Sequence, residues 1–322
     1  MTLQSVYIGD IGYSLGNNRQ TLEQSHANGL TFSSAQLLAD SGFHFHHRCG
    51  SGQTSYDLAR AAVDNLLSPH GKSLDNINGI LYATCLSCNG NLGKWEDFKE
   101  SGDVKHLMDF PVSHLQAEFG MQNAFLMGIN QTACTSLLST LRIAKALLRA
   151  ESHIDELLCL TADRFPEGAV YEQTYNLISD GAAACVVSRH GGRVKILDAH
   201  HISNGAMAQA NDDETAGFYF NYSYRVIDEL LKRNQLSLKD IDWIVPQNTN
   251  IKAWEVLASI LRFDYEKVLT PTREDIGHCI SGDNIINLKK ADDKGVFRPG
   301  DKILLPMAGF GLNWSCVLLE KV

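Results

Sequence analysis

The chain has 322 residues, 44% hydrophobic and 20% charged, with 26 Gly and 7 Pro. A chain of this length and composition buries a sizeable core without staples, which excludes small cystine frameworks, disordered chains and collagen-like repeats. Asp and Glu number 37 against 28 Lys and Arg, a net charge of −9, and an acidic surface repels a polyphosphate backbone, so no nucleic-acid partner is expected.

Met1-Thr2-Leu3-Gln4 begins no basic-then-apolar leader, and no later apolar run approaches the ~20 residues that span a bilayer. The expectation is a cytoplasmic protein, not bound to membranes, whose eight cysteines (Cys49, Cys85, Cys88, Cys134, Cys159, Cys185, Cys279 and Cys316) are reduced and mostly packing residues.

In chain order, short apolar and β-branched runs predict strands over 6–9, 80–84, 124–129, 157–162, 182–187, 194–199, 241–245 and 303–307. Between them, apolar residues three and four apart predict helices over 55–67, 136–149, 221–234, 252–262 and 284–294. This alternation argues for an α/β architecture. The polar break Arg189-His190-Gly191-Gly192-Arg193 divides the chain into halves 1–190 and 191–322. Ser73-Leu74-Asp75-Asn76-Ile77 and Ser237-Leu238-Lys239-Asp240-Ile241 repeat at an offset of 164. The polar stretch 89–109 reads as an insertion of roughly 20 residues. Beyond it, matching positions should lie about 144 apart, which pairs Cys134 with His278.

The run Ala124 to Leu138 reads as a buried strand, a tight turn and a helix, with Cys134 at the turn. A thiol at a helix N-terminus meets the positive end of the helix dipole, which favours thiolate; the same position also suits an inert buried cysteine. His44, His46 and His47 cluster without an accompanying carboxylate or cysteine set, so no metal site is expected. Cys85-Leu86-Ser87-Cys88 lacks the second pair that zinc requires and reads as two buried thiols. Gly309-Phe310-Gly311 lacks dinucleotide-binding spacing, and the aromatic residues of 217–222 read as core or dimer surface.

Several segments, in order along most of the chain, resemble the thiolase superfamily and, within it, the ketoacyl synthase III-like enzymes (the 3-oxoacyl-ACP synthase III family). They are Ala133-Cys134 with its following helix, Ser179-Asp180-Gly181-Ala182, Val245-Pro246-Gln247-Asn248-Thr249-Asn250, Gly277-His278-Cys279-Ile280-Ser281 and Met307-Ala308-Gly309-Phe310-Gly311-Leu312-Asn313-Trp314. The resemblance implies an α/β thiolase-like fold of two pseudo-twofold-related halves, layered α-β-α-β-α, with Cys134 as nucleophile. Ordinary members carry a Cys-His-Asn triad. Here Gln247 stands at the His position and His278 at the Asn position, an arrangement closer to that of true thiolases, whose second catalytic cysteine has no match in the Gly309–Gly311 loop.

The function so implied is acyl transfer, in fatty-acid-like or polyketide and secondary-metabolite biosynthesis. Cys134 takes an acyl group from acyl-CoA or acyl carrier protein and passes it on through a thioester. His278 serves as acid and base. Gln247 is the third catalytic residue, the backbone of Cys134 and Gly311 forms the oxyanion hole, and Asn250 positions substrate. No cofactor is permanently bound; the phosphopantetheine of the donor arrives as substrate, and the enzyme is a homodimer. An amide exchanges no proton at neutral pH, so Gln247 leaves the acceptor open among a malonyl thioester, an alcohol, an amine and water. The usual Trp and Arg of a CoA site are missing, which leaves CoA and carrier protein equally open as donors. A second reading is a non-catalytic partner subunit that shapes an active homologue.

Overall fold

The computed structural model describes residues 4–68, 73–174, 176–209 and 212–322. Among these, nine strands share one sheet: β1 (Tyr7–Leu15), β2 (Gly79–Ala83), β3 (Phe125–Ile129), β4 (Glu156–Asp163), β5 (Gly181–Ser188), β6 (Val194–Ser203), β7 (Trp243–Ile244), β8 (Lys302–Gly309) and β9 (Asn313–Lys321). The order β7-β8-β9-β6-β1-β5-β4-β2-β3 is symmetric about the antiparallel junction of β1 with β6. Outward from β1, two antiparallel pairings are followed by two parallel ones. Outward from β6, two antiparallel pairings are followed by the parallel β8–β7 pair and a parallel bridge from Ile244 to Val268. The repeated segments lead into β2 and β7, which hold matching places in this order.

The principal helices are α1 (Ser55–Leu67), α2 (Pro111–Glu118), α3 (Ser136–Ala150), α4 (Asp212–Arg233), α5 (Ile251–Leu261) and α6 (Asp283–Asp293). Three apolar clusters set the layers. Leu58, Val63 and Leu66 of α1 and Leu115 of α2 cover one half of the sheet from outside. Val226 and Leu230 of α4 and Trp254 and Leu257 of α5 cover the other half. Between the halves, Leu137, Leu141 and Leu148 of α3 share a core with Ile285, Ile286 and Leu288 of α6. This is the expected α-β-α-β-α thiolase-like layering.

The sequence reading does not place α2, the short helices Leu22–Ala27 and Ala35–Asp40 or the paired strands Asn18–Thr21 and Phe45–Arg48, and three further differences stand beside these. The C-terminal strand β9 was not among the expected strands. It lies between β6 and β8 and is buried on both faces from Asn313 to Leu319, so it lacks the polar alternation that marks a half-exposed strand. The presumed insertion carries structure of its own: 3-10 turns at Ser87–Gly90 and Val104–Leu107 flank a helix at Trp95–Ser101.

The third difference concerns the repeat. Ala133 and Ile280 both have positive φ, 47° and 42°, in 3-10 turns that lead into α3 and α6. These residues are 147 apart, as are Ser136 and Asp283, which begin the two helices. The positional counterpart of Cys134 is therefore Ser281, and His278 stands three residues earlier, with Gly277 and the segment 273–276 carrying it toward Cys134.

Gly12 shows how tightly α1 lies on β1. A Cβ there would stand 2.1 Å from the Ala62 carbonyl oxygen and 2.4 Å from the Leu66 nitrogen. Gly12→Ala is expected to lower the unfolding free energy by about 3 kcal/mol, read as a lower urea midpoint at unchanged slope.

Candidate active site

The parallel strands β2, β3 and β4 end at the same rim of the sheet, and Cys134 sits just beyond β3. Its turn is shaped by Ala133 in the left-handed region, a strained conformation for a residue with a side chain. Cys134 is 6% exposed and begins the approach to α3. The end of β8 closes over its backbone: a Cβ on Gly309 would stand 2.8 Å from the Cys134 nitrogen. Only glycine permits that approach. The thiol lies at the wall of a cavity of about 360 Å³ whose sides include Ile178, Tyr219, Ala253 and Phe310.

His278 lines the same cavity as Cys134, near enough that each shifts the other's pKa. Gly277 brings it there: at φ 72°, a Cβ would meet the Leu177 carbonyl oxygen at 2.8 Å, while the His278 N–H donates to that same oxygen at 2.7 Å. The sequence reading missed the third member. Asp283 is fully buried at the first turn of α6 and accepts the Nδ1–H of His278 at 2.5 Å, which leaves Nε2 for the thiol. Asp283 also accepts the backbone N–H groups of Asn248 and Cys279, both at 2.7 Å. Its one signal in the sequence is an acidic residue at the start of a predicted helix, which reads equally well as dipole compensation.

The charges follow from this geometry. Burial by itself lowers the pKa of His278, but the charge and hydrogen bond of Asp283, joined by Cys134, more than reverse that and raise it to about 10. Cys134 is brought down to about 5, first by the S–H donated from Cys85, then against burial by the hydrogen bond and charge of His278. The resting pair is thiolate and imidazolium.

Gln247 lines the cavity, 6% exposed, and its Oε1 accepts the Ala308 N–H at 2.5 Å, so the Nε2 donors are the ones left for a ligand. Its loop is fixed by α6: Asn287 donates to the Pro246 carbonyl and to Asn248 Oδ1, and Asn284 donates to the Val245 carbonyl.

Two expected site residues also serve local structure. Asn250 lines the cavity, but its side chain caps α5 through Lys252 N–H at 2.9 Å and donates to Ser41 Oγ at 2.9 Å, so its amide is committed to structure. Gly311 lies off the cavity wall, which the Gly-rich loop forms with Gly309 and Phe310; at φ 104°, Gly311 serves the turn between β8 and β9.

The remaining candidates separate. His46 is buried between Ser25 Oγ at 2.6 Å and the Ile178 carbonyl at 2.8 Å, His47 meets the Gly16 carbonyl, and His44 is exposed beside Glu274. Burial lowers the pKa of His46 to about 4, so the ring is neutral. Among the described residues no group of His, Cys, Asp and Glu could hold a metal ion. The reading of Cys85 and Cys88 as two buried packing thiols is overturned. Cys88 is exposed, and Cys85, just past the end of β2, brings its Sγ within 3.9 Å of that of Cys134, because β2 and β3 pair in parallel and end side by side.

Two family models match: 3-oxoacyl-[acyl-carrier-protein] synthase III over residues 129–205 and its C-terminal counterpart over 231–321, together just over half of the chain. The chain belongs to the 3-oxoacyl-ACP synthase III family. The first match contains Cys134, and the second contains Gln247, His278 and Asp283. A relative from Wolbachia pipientis wMel, a beta-ketoacyl-[acyl-carrier-protein] synthase III, is 25% identical over 293 residues, covering 85% of this chain and 86% of its own. The crystal structure of 3-oxoacyl-[acyl-carrier-protein] synthase III from Aquifex aeolicus VF5 superposes with a TM-score of 0.80 at 19% identity, covering 98% of this chain and 99% of its own. The acyltransferase ChlB3 superposes at 0.81 with 19% identity, covering 99% and 98%. These structures share the thiolase fold.

The electrostatics set a pH dependence. Alkylation of Cys134 by iodoacetamide is expected to rise with pH through about 5, where an ordinary thiol rises near 9.0. In Asp283→Asn the imidazolium loses its buried counter-charge and the midpoint moves upward. The direct repulsion between Asp283 and the thiolate also disappears, but that influence is the smaller one. The check is the rate of carboxamidomethylation of the Cys134 peptide across pH 4 to 10.

Proposed function

We propose that the protein is an acyltransferase of the ketoacyl synthase III type, which loads an acyl group from acyl-CoA or acyl carrier protein onto Cys134 and passes it to a second substrate. The observation that carries this reading is that Cys134 and His278 share the wall of one cavity while Asp283 binds the Nδ1 of that histidine. The thiolate attacks the thioester carbonyl. The oxyanion is received by the Cys134 N–H and the backbone of the Gly309–Phe310 loop, with Gln247 Nε2 as a further donor. His278 gives its proton to the departing thiol, which leaves a neutral imidazole beside the acyl-enzyme. Held in its tautomer by Asp283, that imidazole takes the proton of the incoming acceptor as it attacks, and the collapse of the second tetrahedral intermediate restores the thiolate.

A His backed by a carboxylate is a base, whereas stabilising an enolate after loss of carbon dioxide asks for neutral donors. The pairing of His278 with Asp283 therefore favours an oxygen or nitrogen acceptor over decarboxylative condensation, and the fold neighbour named as an acyltransferase is in keeping with that. A retained nucleophile with its own base and orienting acid weighs against a silent partner subunit.

Further parts of the reading are the division into halves at 190/191, supported by the mirrored strand order, and a homodimer. β3 is an edge strand that exposes Leu126 and Met127, a surface suited to a second copy. The segment 89–109, with Trp95 and Met108 exposed, would lie beside that contact. The reading puts the enzyme in the cytoplasm, where thiols stay reduced.

Incubation with a panel of acyl-CoA and acyl-carrier-protein donors should add one acyl mass to the Cys134 peptide, and Cys134→Ala should remove it. His278→Ala should slow turnover by on the order of 10² to 10⁴-fold. Absence of acylation with every donor would sink the enzyme reading, and release of carbon dioxide from a malonyl thioester in step with turnover would sink the choice of acceptor.

A further inference from the structure

We propose that Cys85 and Cys134 form a peroxide-reactive pair: a hydroperoxide oxidises Cys134, and Cys85 resolves the product into a reversible disulfide. The acyl-transfer reading assigns Cys85 no chemical step, yet its Sγ lies 3.9 Å from the nucleophile. A disulfide bond is about 2.0 Å long, so the remaining gap closes by rotating side chains already in contact. The backbone of Cys85 is held in place, with its N–H and that of Leu86 donating to Asp163 at 2.9 Å and 3.1 Å. Asp163 is buried at the end of β4, which also takes the Asn89 side-chain amide at 3.1 Å. The contact is therefore built from three neighbouring strand ends.

The competing thiols are placed less well. Cys279 is turned toward Gly181 and Gly282, where Cβ atoms would lie 2.4 Å and 3.7 Å from its sulfur. Cys88 is exposed on the 3-10 turn beyond Cys85. Cys159, Cys185 and Cys316 are buried within strands.

The chemistry balances. The Cys134 thiolate attacks one peroxide oxygen, the O–O bond breaks, and the departing hydroxide or alkoxide takes the imidazolium proton of His278, giving sulfenic acid and water or alcohol. The Cys85 thiol then loses its proton to the neutral His278 and attacks the sulfenic sulfur. The S–O bond breaks and the hydroxide leaves as water with that proton. The two thiols lose two electrons and the peroxide gains them. The hydrogen bond to Cys134, then burial and the charge of the neighbouring thiolate, raise the pKa of Cys85, so it waits as a thiol while Cys134 reacts first. A thioester on Cys134 removes the nucleophile and so protects the pair.

The inference rests on Cys134 being the reactive thiolate and not on the acyl group it carries. Its readout is the state of the thiols, so failure of acylation would leave it standing.

The test treats the reduced full-length protein with one to five equivalents of hydrogen peroxide, blocks free thiols with iodoacetamide and maps peptides by mass. The expected product joins the peptides of Cys85 and Cys134 with loss of two hydrogens, and dithiothreitol restores both thiols. Cys85→Ser, whose hydroxyl keeps a donor toward the thiolate, and Cys85→Ala, which does not, are each checked for an unchanged circular dichroism spectrum; both should trap a dimedone-reactive Cys134, and Cys85→Ser should carry it to sulfinic acid at least about tenfold faster than wild type. Cys88→Ser should behave as wild type. A disulfide from Cys134 to any other cysteine would overturn the proposal. So would a wild-type Cys134 that reaches sulfinic acid as fast as that of Cys85→Ser.

Discussion

The site depends on one buried carboxylate. Asp283 accepts the Nδ1–H of His278, the N–H of Cys279 and the N–H of Asn248, and so ties the histidine loop and the Gln247 loop to the first turn of α6. Removing one partner from a buried charge pair typically costs about 3–5 kcal/mol, because the other charge is left without compensation. The same contact sets orientation, tautomer and protonation. Without it His278 would follow its burial toward the neutral state, and the Cys134 thiolate would lose its counter-ion.

Around that carboxylate the sheet acts as a positioning device. The symmetric strand order brings the N-termini of α3 and α6 together in the central layer, where Ser136 Oγ and Ser281 Oγ meet at 2.8 Å. Two glycines then let loops approach where a side chain would not fit, Gly277 against Leu177 and Gly309 against Cys134. The polar residues of α6 continue the work: Asn284 and Asn287 satisfy carbonyls of the Gln247 loop, so buried amide groups are used to fix a loop that carries a cavity-facing amide.

On the proposed reading, with Gln247 at the family's His position and His278 at its Asn position, proton traffic is rearranged without emptying the site. Gln247 can only donate and accept hydrogen bonds, so every proton must pass through His278, and the structure equips that residue with an acid partner of its own. A single base between a nucleophile and a carboxylate suits two successive acyl transfers, since one group gives a proton to the leaving thiol and takes one from the acceptor.

The sequence by itself determined the α/β alternation, four helices within a residue of their observed bounds and the C-terminal part of α4, the turn that presents Cys134, and His278 behind its glycine. Each of these rests on local pattern: apolar periodicity, a helix start, or a motif resembling the family's. It did not reveal β9, since a strand buried on both faces has no alternation to read. Nor did it show that Asn250 is spent on capping α5, or that the Gly-rich loop meets Cys134 at Gly309 and not at Gly311. Asp283 and Cys85 were beyond it for the same physical reason. Their roles arise from contacts with residues 5 and 49 positions away that differ by side chain and not by spacing, made where parallel strand ends and a helix N-terminus converge. Only the tertiary structure brings those ends together, and so only it decided which acid orients the histidine and which thiol faces the nucleophile.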